Sequence, residues 1–308
     1  MSSRSLIDIQ ALKAEALRLG FSAVGCSPAG PVDEAVRQAY LAWLRDGHQG
    51  EMHYLENHLE KRFNPTLLVD GARTVVSLLM NYHPGQQPTQ PALAWYAQGQ
   101  DYHDVLHTLT NRLMDVCRLT GRSFTDSAPV LDRYWAWRAG LGFIGRHGQL
   151  VVPRLGSAFF IAELIVQEEA DHYDRPLTAH YFDNLCGRCH RCVEACPTQA
   201  LQAQGPMRAE RCLSYLSIEQ RGPIPEEAKP FLKECFYGCD RCLRACPHLH
   251  APDEAPLSAF QASDELLRMQ ASDWAAMDEA KFRDLFRRSA VKRAKYAGLR
   301  RNIEAGGE

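Results

Sequence analysis

Apolar positions in the first part of the chain recur with two different periods, which predict both helices and strands. The spacing from Met1 to Gly20 is helical, with Ser5 as the predicted N-cap and Gly20 as the predicted end. The apolar face of this short amphipathic helix consists of Leu6, Ile9, Leu12, Ala16 and Leu19.

Longer apolar runs predict buried strands at Phe21–Gly25 and Thr74–Met80, and a helical pattern spans Leu106–Leu119. The run Ala158–Val166 is a further strand or buried segment, although Glu163 interrupts it. Strands that alternate with helices in this way favour a layered α/β or α+β domain.

The pattern changes after residue 180, where closely spaced cysteines and the lack of a clear apolar period predict a small, loop-rich module. Pro252 and Pro256 indicate a connector over 251–262, and a helical pattern returns over 263–304. The predicted domains are therefore 1–180, 181–250 and 251–308.

Seven of the eleven cysteines form two closely spaced runs, and an eighth lies between them. The first run is Cys186-x-x-Cys189-x-x-Cys192-x-x-x-Cys196-Pro197. The second run is Cys239-x-x-Cys242-x-x-x-Cys246-Pro247, and Cys212 lies between the runs. Two-residue gaps let three sulfurs converge from one tight loop, while the fourth thiolate of a [4Fe-4S] cluster comes from a distant point in the chain.

The bacterial two-cluster pattern assigns the cysteine before proline to the other cluster. By that rule, the first predicted cluster is held by Cys186, Cys189, Cys192 and Cys246. The second is held by Cys239, Cys242, Cys196 and Cys212, the last replacing the missing first member of the second run. Zinc and disulfides are less favoured, because zinc signatures usually pair two Cys-x-x-Cys knuckles. Cys26, Cys117 and Cys235 are expected not to be ligands.

Composition and charge narrow the classes of function. With 45% apolar and 23% charged residues, the chain is typical of soluble globular proteins. Eleven cysteines without a secretory signal indicate a reducing, cytoplasmic location. No apolar run reaches the roughly 18 residues needed to span a membrane. Because the formal net charge is −2, a nucleic-acid partner must meet a local basic patch. Nine Lys/Arg between Lys281 and Arg301 form such a patch, or else a solvated helix face.

Clusters carry single electrons, so we expect the first domain to hold a second cofactor or a docking surface. No Gly-x-Gly-x-x-Gly follows a predicted strand and no Walker loop is present, so a nicotinamide or ATP site is unsupported. The glycine-dense stretch from Gly140 to Gly148 would let a bulky or anionic ligand approach, or is a set of turns. Trp135 and Trp137 are core residues or contacts to a cofactor or base.

Two acidic segments are candidates for acid–base chemistry. Asp101 begins Asp101-Tyr102-His103-Asp104 and either caps the following helix or belongs to a site. Asp126 follows a short extended segment and is either a turn residue or a carboxylic acid at the mouth of a cofactor pocket. In such a pocket, desolvation would favour the protonated, proton-donating form of the carboxyl group.

Several of these segments, taken in order, resemble one enzyme family. They are Glu60-Lys61-Arg62 with Pro65, Asp101-Tyr102-His103, Asp126-Ser127-Ala128-Pro129, Arg138-Ala139-Gly140-Leu141-Gly142-Phe143-Ile144-Gly145 and Gly156-Ser157, followed by the cysteine runs. In order and spacing, from about residue 6 to residue 304, the chain is similar to epoxyqueuosine reductases.

The resemblance implies an oxidoreductase that carries cobalamin and two [4Fe-4S] clusters and reduces epoxyqueuosine at the tRNA wobble position to queuosine. It implies an α+β fold, with a nitroreductase-like cobalamin-binding α/β domain, a ferredoxin-like two-cluster module and a helical C-terminus. Residue matching gives Asp126 the proton-donor position, with Asp101 and His103 as its polar neighbours. Four further matched residues fall in segments that line the cobalamin, namely Arg62, Gly142, Gly145 and Ser157.

The implied reaction takes two electrons and protons, and cluster potentials that reach about −700 mV suit it. We therefore expect an external donor such as flavodoxin or ferredoxin, a tRNA with a queuosine-type anticodon loop, no membrane partner and a monomeric protein. No axial histidine to cobalt is expected, because the closest match to Asp-x-His-x-x-Gly has Leu106 in place of glycine.

Many members of this family continue into C-terminal helical repeats that help to hold tRNA, whereas this chain stops at Glu308. In such a short form, phosphate contacts would fall to the basic residues Arg287, Arg288, Lys292, Arg293, Lys295, Arg300 and Arg301. Two other hypotheses remain open. One is a dehalogenase-like cobalamin and iron–sulfur reductase of a small molecule, and the other is a ferredoxin-type electron carrier.

Overall fold

The structure, a computed structural model, describes residues 6–84, 88, 92–250 and 257–307. The predicted cap Ser5 and the first part of the predicted connector, 251–256, lie outside the described residues.

The strands are β1 (Ala23–Pro28), β2 (Thr74–Asn81), β3 (Ala92–Leu93), β4 (Gly121–Phe124), β5 (Phe143–Ile144), β6 (Leu150–Val151), β7 (Phe159–Val166) and β8 (Cys235–Tyr237). The helices are α1 (Ile9–Arg18), α2 (Glu34–Arg45), α3 (Leu59–Phe63), α4 (Tyr102–Cys117), α5 (Asp132–Arg138), α6 (Arg191–Glu194), α7 (Leu213–Ile218), α8 (Lys229–Leu232), α9 (Arg241–Arg244), α10 (Asp264–Arg268), α11 (Ala271–Ala275), α12 (Glu279–Phe286) and α13 (Lys295–Gly307).

The main sheet has the strand order β1-β2-β7-β4, and every neighbouring pair in it is antiparallel. Alternate residues of β2 face opposite layers. Val76 and Leu78 pack with α1 and α4, whereas Val75 and Leu79 pack with α5. Because helices cover both faces, every residue of β2 is buried, which explains its continuous apolar run. The mixed helix and strand class is confirmed, and so are the strands predicted at Thr74–Met80 and within Ala158–Val166. The strand predicted at Phe21–Gly25 exists but runs from Ala23 to Pro28.

Two helices begin at residues other than those predicted. Helix α1 starts at Ile9, because the carboxylate of Asp8 accepts a hydrogen bond from the N–H of Ala11 and caps the helix. The predicted face is otherwise buried, but Leu6 precedes the helix and is 60% exposed. Helix α4 starts at Tyr102, four positions before the predicted Leu106, with Asp101 as its N-cap.

Helix α5 packs its aromatic side chains into the protein core. Trp135 and Trp137 are fully buried between the sheet and the surrounding loops. The indole N–H of Trp137 donates to the hydroxyl of Thr178 at 2.8 Å. Core packing, the simpler of the two interpretations of these tryptophans, is therefore what the structure shows.

The C-terminal helices pack on the cysteine-rich region. Strand β8 pairs in parallel with β3, which joins this region to the first part of the chain. Trp274 of α11 and Phe286 of α12 lie with Phe236 in one apolar cluster. Within the described ranges, none of the helices is both long and apolar enough to cross a bilayer.

Candidate active site and cluster housing

Cysteines from the two ends of the cysteine-rich region surround a small cavity. Its lining contains Cys186, Cys189 and Cys192 of the first run and Cys246 of the second, together with His147 and His248. The thiol of Cys246 lies within electrostatic reach of Cys186 and Cys189. The four sulfurs that the spacing rule groups together are therefore neighbours in space.

The complementary four cysteines meet on the wall of a second, larger cavity of about 420 Å³. They are Cys196 of the first run, Cys212, and Cys239 and Cys242 of the second run. Burial raises the pKa of Cys239 to about 12, and burial together with the neighbouring thiols also raises the pKa of Cys242. Iron binds the thiolate form of cysteine, so a bound cluster would displace the protons that burial keeps on these thiols.

In both sets the thiols surround a volume rather than a point. Among the described residues, no three His, Cys, Asp or Glu side chains are close enough together to hold a single metal ion. Cys235 belongs to neither cavity lining, and its thiol donates to the carbonyl oxygens of Tyr237 at 3.2 Å and Gly238 at 3.5 Å.

Asp126 lines the same large cavity as the second set of cysteines. Its backbone has a φ of 51°, in the left-handed region that non-glycine residues rarely adopt. The hydroxyl of Tyr102 donates a 2.6 Å hydrogen bond to Asp126 Oδ2. The side chain of Asp126 is exposed, so the protein does not by itself provide the desolvation that the sequence analysis expected.

Tyr102 is the member of the Asp101-Tyr102-His103 segment that lines the cavity. Its ring stacks on Phe160, with centroids 4.3 Å apart and planes 7° apart, and also on His103 at 4.0 Å. Burial, followed by the negative charge of Asp126, raises the pKa of Tyr102, so the phenol stays protonated and remains a hydrogen-bond donor.

Asp101 and His103 lie behind this wall and are not part of the described cavity lining. Asp101 caps α4 and accepts hydrogen bonds from His103 Nδ1 at 2.7 Å and Lys292 Nζ at 2.8 Å. The hydrogen bond from His103 is the main cause that holds the pKa of Asp101 well below its usual range. The pair therefore anchors the start of the helix that carries Tyr102.

The four residues matched to cobalamin-lining segments are also absent from the lining of the described cavity. For two of them, Gly142 and Gly145, close packing explains why the position is a glycine. A Cβ on Gly142 would lie 2.4 Å from the carbonyl oxygen of Val151, and one on Gly145 would lie 2.8 Å from Val151 Cγ2. These glycines thus let β5 and β6 approach each other. Arg62 is buried with its guanidinium 5.7 Å from the ring of Tyr40, and Ser157 is also buried.

The glycine-dense stretch contributes Arg146 and His147 to the cluster housing. The backbone N–H of Arg146 donates to Cys186 Sγ at 3.4 Å, and its guanidinium donates to the carbonyl oxygens of Cys189 at 3.1 Å and Gly187 at 3.1 Å. His147 is buried and lines both cavities. Burial, followed by the charge of Arg133, lowers the pKa of His147 to about 4.

Sequence reasoning did not single out Tyr102, Asp132 or His147 as functional side chains. Each lies within or beside a motif that was recognised, but what distinguishes them is burial and orientation towards the cavities. Two of them lie in segments that the sequence did mark as candidates. Tyr102 belongs to the Asp101-Tyr102-His103 segment, and His147 belongs to the glycine-dense stretch.

Most of the basic C-terminal residues bind other parts of the protein. Arg301 donates to the backbone carbonyls of Gln220, Gly222 and Leu216. The remaining internal pairs are Lys292 with Asp101, Arg293 with Glu219, and Arg300 with Glu304. Lys292 and Arg293 are nevertheless exposed, as are Arg287, Arg288 and Lys295. Contact of the seven residues with tRNA phosphates therefore stays a prediction.

Comparison with known proteins identifies the family. A model described as "4Fe-4S double cluster binding domain" matches residues 185–248, and one described as "Epoxyqueuosine reductase QueG, DUF1730" matches residues 62–127. An epoxyqueuosine reductase from Cellulophaga algicola is 41% identical over 302 residues, which cover 95% of this chain and 96% of the relative. The chain belongs to the epoxyqueuosine reductase family.

Solved epoxyqueuosine reductases share the fold of this family member. One, in complex with an epoxyqueuosine-modified stem loop of tRNA-Tyr, matches with a TM-score of 0.84 at 25% identity, covering 97% of this chain and 80% of that chain. The Bacillus subtilis enzyme, solved with its catalytic aspartate loop swung out of the active site, gives a TM-score of 0.83 at 25% identity with the same coverage. The double-cluster domain confirms the prediction of two [4Fe-4S] clusters.

Proposed function

We propose that this protein reduces the epoxide of epoxyqueuosine in tRNA to queuosine, with electrons that two [4Fe-4S] clusters deliver to a cobalamin in the large cavity. The observation that carries this proposal is the composition of that cavity. Its lining contains Asp126 and Tyr102 together with Cys196, Cys212 and Cys242. A redox group bound between them would meet both an electron source and a proton source.

The crossed ligand sets are part of the proposal. Cys186, Cys189, Cys192 and Cys246 hold the cluster in the small cavity, and Cys196, Cys212, Cys239 and Cys242 hold the cluster that faces the large cavity. Electrons from an external low-potential donor such as flavodoxin or ferredoxin would reach the large cavity through the second cluster, because the cysteines that would hold it line that cavity.

The cavity wall also bears on how the cobalamin is held. His147 is a histidine of this wall, and its Nδ1 accepts a 3.1 Å hydrogen bond from the backbone N–H of Gln149. Since Nδ1 is occupied as an acceptor, a neutral His147 carries its proton on Nε2 and has no free lone pair for cobalt. His147 is therefore assigned as a hydrogen-bond donor of the cavity wall. When bound, cobalamin supplies a low-potential, strongly nucleophilic cobalt centre.

The residues of the chain handle the oxygen of the substrate. Asp126 gives a proton to the epoxide oxygen as the carbon–oxygen bond breaks, which is typically worth about 10²–10⁴ in rate. Tyr102 holds the carboxyl group of Asp126 through its hydroxyl, and the stack on Phe160 fixes the orientation of the phenol. Asp101 and His103 act indirectly, because they anchor the start of α4 and so position Tyr102.

The substrate tRNA is expected to lie over the open side of the cavity near Asp126. Exposed Arg287, Arg288 and Lys295 are the C-terminal residues that we assign to phosphate contacts. The division into domains at 180 and 250, and the nitroreductase-like description of the first domain, belong to this proposal as well.

Turnover with competing substrates tests the proposed function. The anaerobically purified protein, loaded with cobalamin and reduced, is given tRNA bearing epoxyqueuosine in one reaction and a halogenated phenol in another. We expect queuosine in the digested tRNA and no halide release. Halide release without queuosine would identify a small-molecule reductase, and a preparation that binds no corrin would identify an electron carrier.

A further inference from the structure

Three carboxyl groups lead from the large cavity into the centre of the main sheet. Asp126 is exposed at the cavity, Asp132 is half-buried on the cavity wall, and Glu163 is fully buried in β7. The three groups interact electrostatically in sequence, because the charge of Asp126 acts on Asp132 and the charge of Asp132 acts on Glu163.

Asp132 is the first residue of α5, and its Oδ1 is shielded from solvent without a hydrogen-bond partner in the described structure. The charged groups that face it are Asp126, Arg133 and Arg62. Burial, followed by the negative charge of Asp126, raises the pKa of Asp132 to about 8, and the two arginines only partly offset this. At neutral pH, Asp132 is therefore mainly a carboxylic acid that can donate a proton into the cavity.

Glu163 has surroundings that favour its neutral form. Ser77, its partner across the strand pair, donates a 2.7 Å hydrogen bond to Oε2, while Oε1 has no partner in the described structure. Burial, followed by the charge of Asp132, raises the pKa of Glu163 well above its ordinary value. Both effects favour the neutral form of Glu163.

The proposed reaction needs two protons. Reduction of the epoxide breaks both carbon–oxygen bonds, forms a carbon–carbon double bond, and consumes two electrons and two protons as the oxygen leaves as water. Asp126 accounts for the first proton, at the opening of the ring, and is then a carboxylate. The second proton is needed when the resulting hydroxyl group departs.

We propose that Asp132 is a second catalytic acid, which delivers from the cavity wall the proton that leaves with the oxygen as water. This inference rests on the proposed function. The electrons come from the clusters, and Asp132 regains its proton from solvent through the open cavity. Once Asp126 has given up its proton, its negative charge keeps the proton on Asp132 until a more basic oxygen is present. Asp126 therefore donates first and Asp132 second.

A spectroscopic titration tests Asp132 independently of turnover. In the holoenzyme, infrared difference spectra between pH 6 and pH 10 are expected to contain a carboxylic acid C=O band that is lost with a midpoint near 8. The band is absent from Asp132→Asn, and in Asp126→Asn its midpoint moves to lower pH, because a negative charge has been removed. If the parent lacks a titrating band that Asp132→Asn abolishes, the inference fails, whatever the protein reduces.

The rate of queuosine formation tests the catalytic role itself. In the parent, the rate is expected to fall as pH rises through about 8, because Asp132 loses its proton. Asp132→Asn is expected to lower kcat by about 10²- to 10⁴-fold and to abolish this alkaline limb. Glu163→Gln is the matched control, since it makes the same carboxyl-to-amide change at a buried group that does not line the cavity, and it keeps the limb. A titrating Asp132 band combined with normal turnover in Asp132→Asn would overturn the catalytic role.

Discussion

The phenolic hydroxyl of Tyr102 lies 2.6 Å from Oδ2 of Asp126 and donates a hydrogen bond to it. Asp126 is otherwise exposed on a left-handed backbone, so among the described residues Tyr102 is the partner that directs its carboxyl group. The ring of Tyr102 also stacks on Phe160, and this stacking restricts rotation of the phenol away from Asp126.

Replacing Tyr102 by Phe removes this hydrogen bond and keeps the stacked ring. Hydrogen bonds to charged groups contribute about 1.5–3 kcal/mol, so kcat for queuosine formation is expected to fall about 10- to 100-fold with KM little changed. The measurement is steady-state kinetics at saturating cobalamin. Phe160→Leu is the companion variant, because it removes the stack and leaves the hydroxyl. A normal kcat for Tyr102→Phe would show that Asp126 does not need this partner.

Single cysteine substitutions test the crossed ligand sets. Cys246→Ser is expected to damage the same cluster as Cys186→Ser, although the two residues lie 60 positions apart, whereas Cys196→Ser is expected to damage the other cluster. Low-temperature EPR of the reduced protein separates the two cluster signals. Cys235→Ser is the control and keeps both signals, because Cys235 lines neither cavity. Loss of the same signal from Cys196→Ser and Cys186→Ser would refute the crossing.

His147 is predicted to tune a cluster potential. Its Nδ1 is an acceptor, its Nε2–H is buried without a partner in the described structure, and its ring lines the small cavity with the first set of cysteines. With a cluster in that cavity, a hydrogen bond from Nε2 to one of its sulfurs would stabilise the reduced cluster. His147→Leu should therefore make that cluster's reduction potential more negative by about 40 mV, the equivalent of about 1 kcal/mol.

The check is a redox titration followed by EPR, with Gln149→Ala as the control. That substitution keeps the backbone N–H that orients His147, so the potential should stay at the parent value. An unchanged or more positive potential in His147→Leu would show that the imidazole does not donate to the cluster.

The exposed basic residues at the C-terminus are predicted to bind tRNA phosphates. The double variant Arg287→Ala and Arg288→Ala should weaken tRNA binding and reduce the dependence of log Kd on log salt by about 1 to 2 units. Filter binding over a range of salt concentrations measures both effects. Arg18→Ala with Arg37→Ala removes the same charge from residues paired with Glu15 and Glu34, and should change neither. Equal effects of both double variants would indicate a general charge effect only.

The sequence predicted the parts of this site that depend on local spacing. Three cysteines two residues apart must converge wherever the loop lies, so the cluster sets followed from the pattern, and the structure does bring each set together. The main strands could also be predicted from the sequence, because a strand covered by helices on both faces carries an uninterrupted apolar run.

The parts that the sequence did not reveal depend on tertiary contacts. Asp132 looks like an ordinary first-turn acid of a helix, and only the packing of α5 against the sheet gives it a desolvated oxygen. Arg301 looks like one of many exposed cations, yet it binds three backbone carbonyls. The start of α1 was misplaced because Asp8 caps the helix three residues after Ser5, the predicted cap.

Queuosine formation by the parent and by Asp126→Asn, compared in one time course, is the most direct test. Both proteins carry equal iron and cobalt, receive the same reductant and the same epoxyqueuosine-bearing tRNA, and are followed by mass spectrometry of the digested nucleosides. We predict queuosine from the parent and a rate about 10²- to 10⁴-fold lower from the variant. Equal rates would contradict the assignment of Asp126 as the proton donor, and no queuosine from the fully loaded parent would contradict the proposed function.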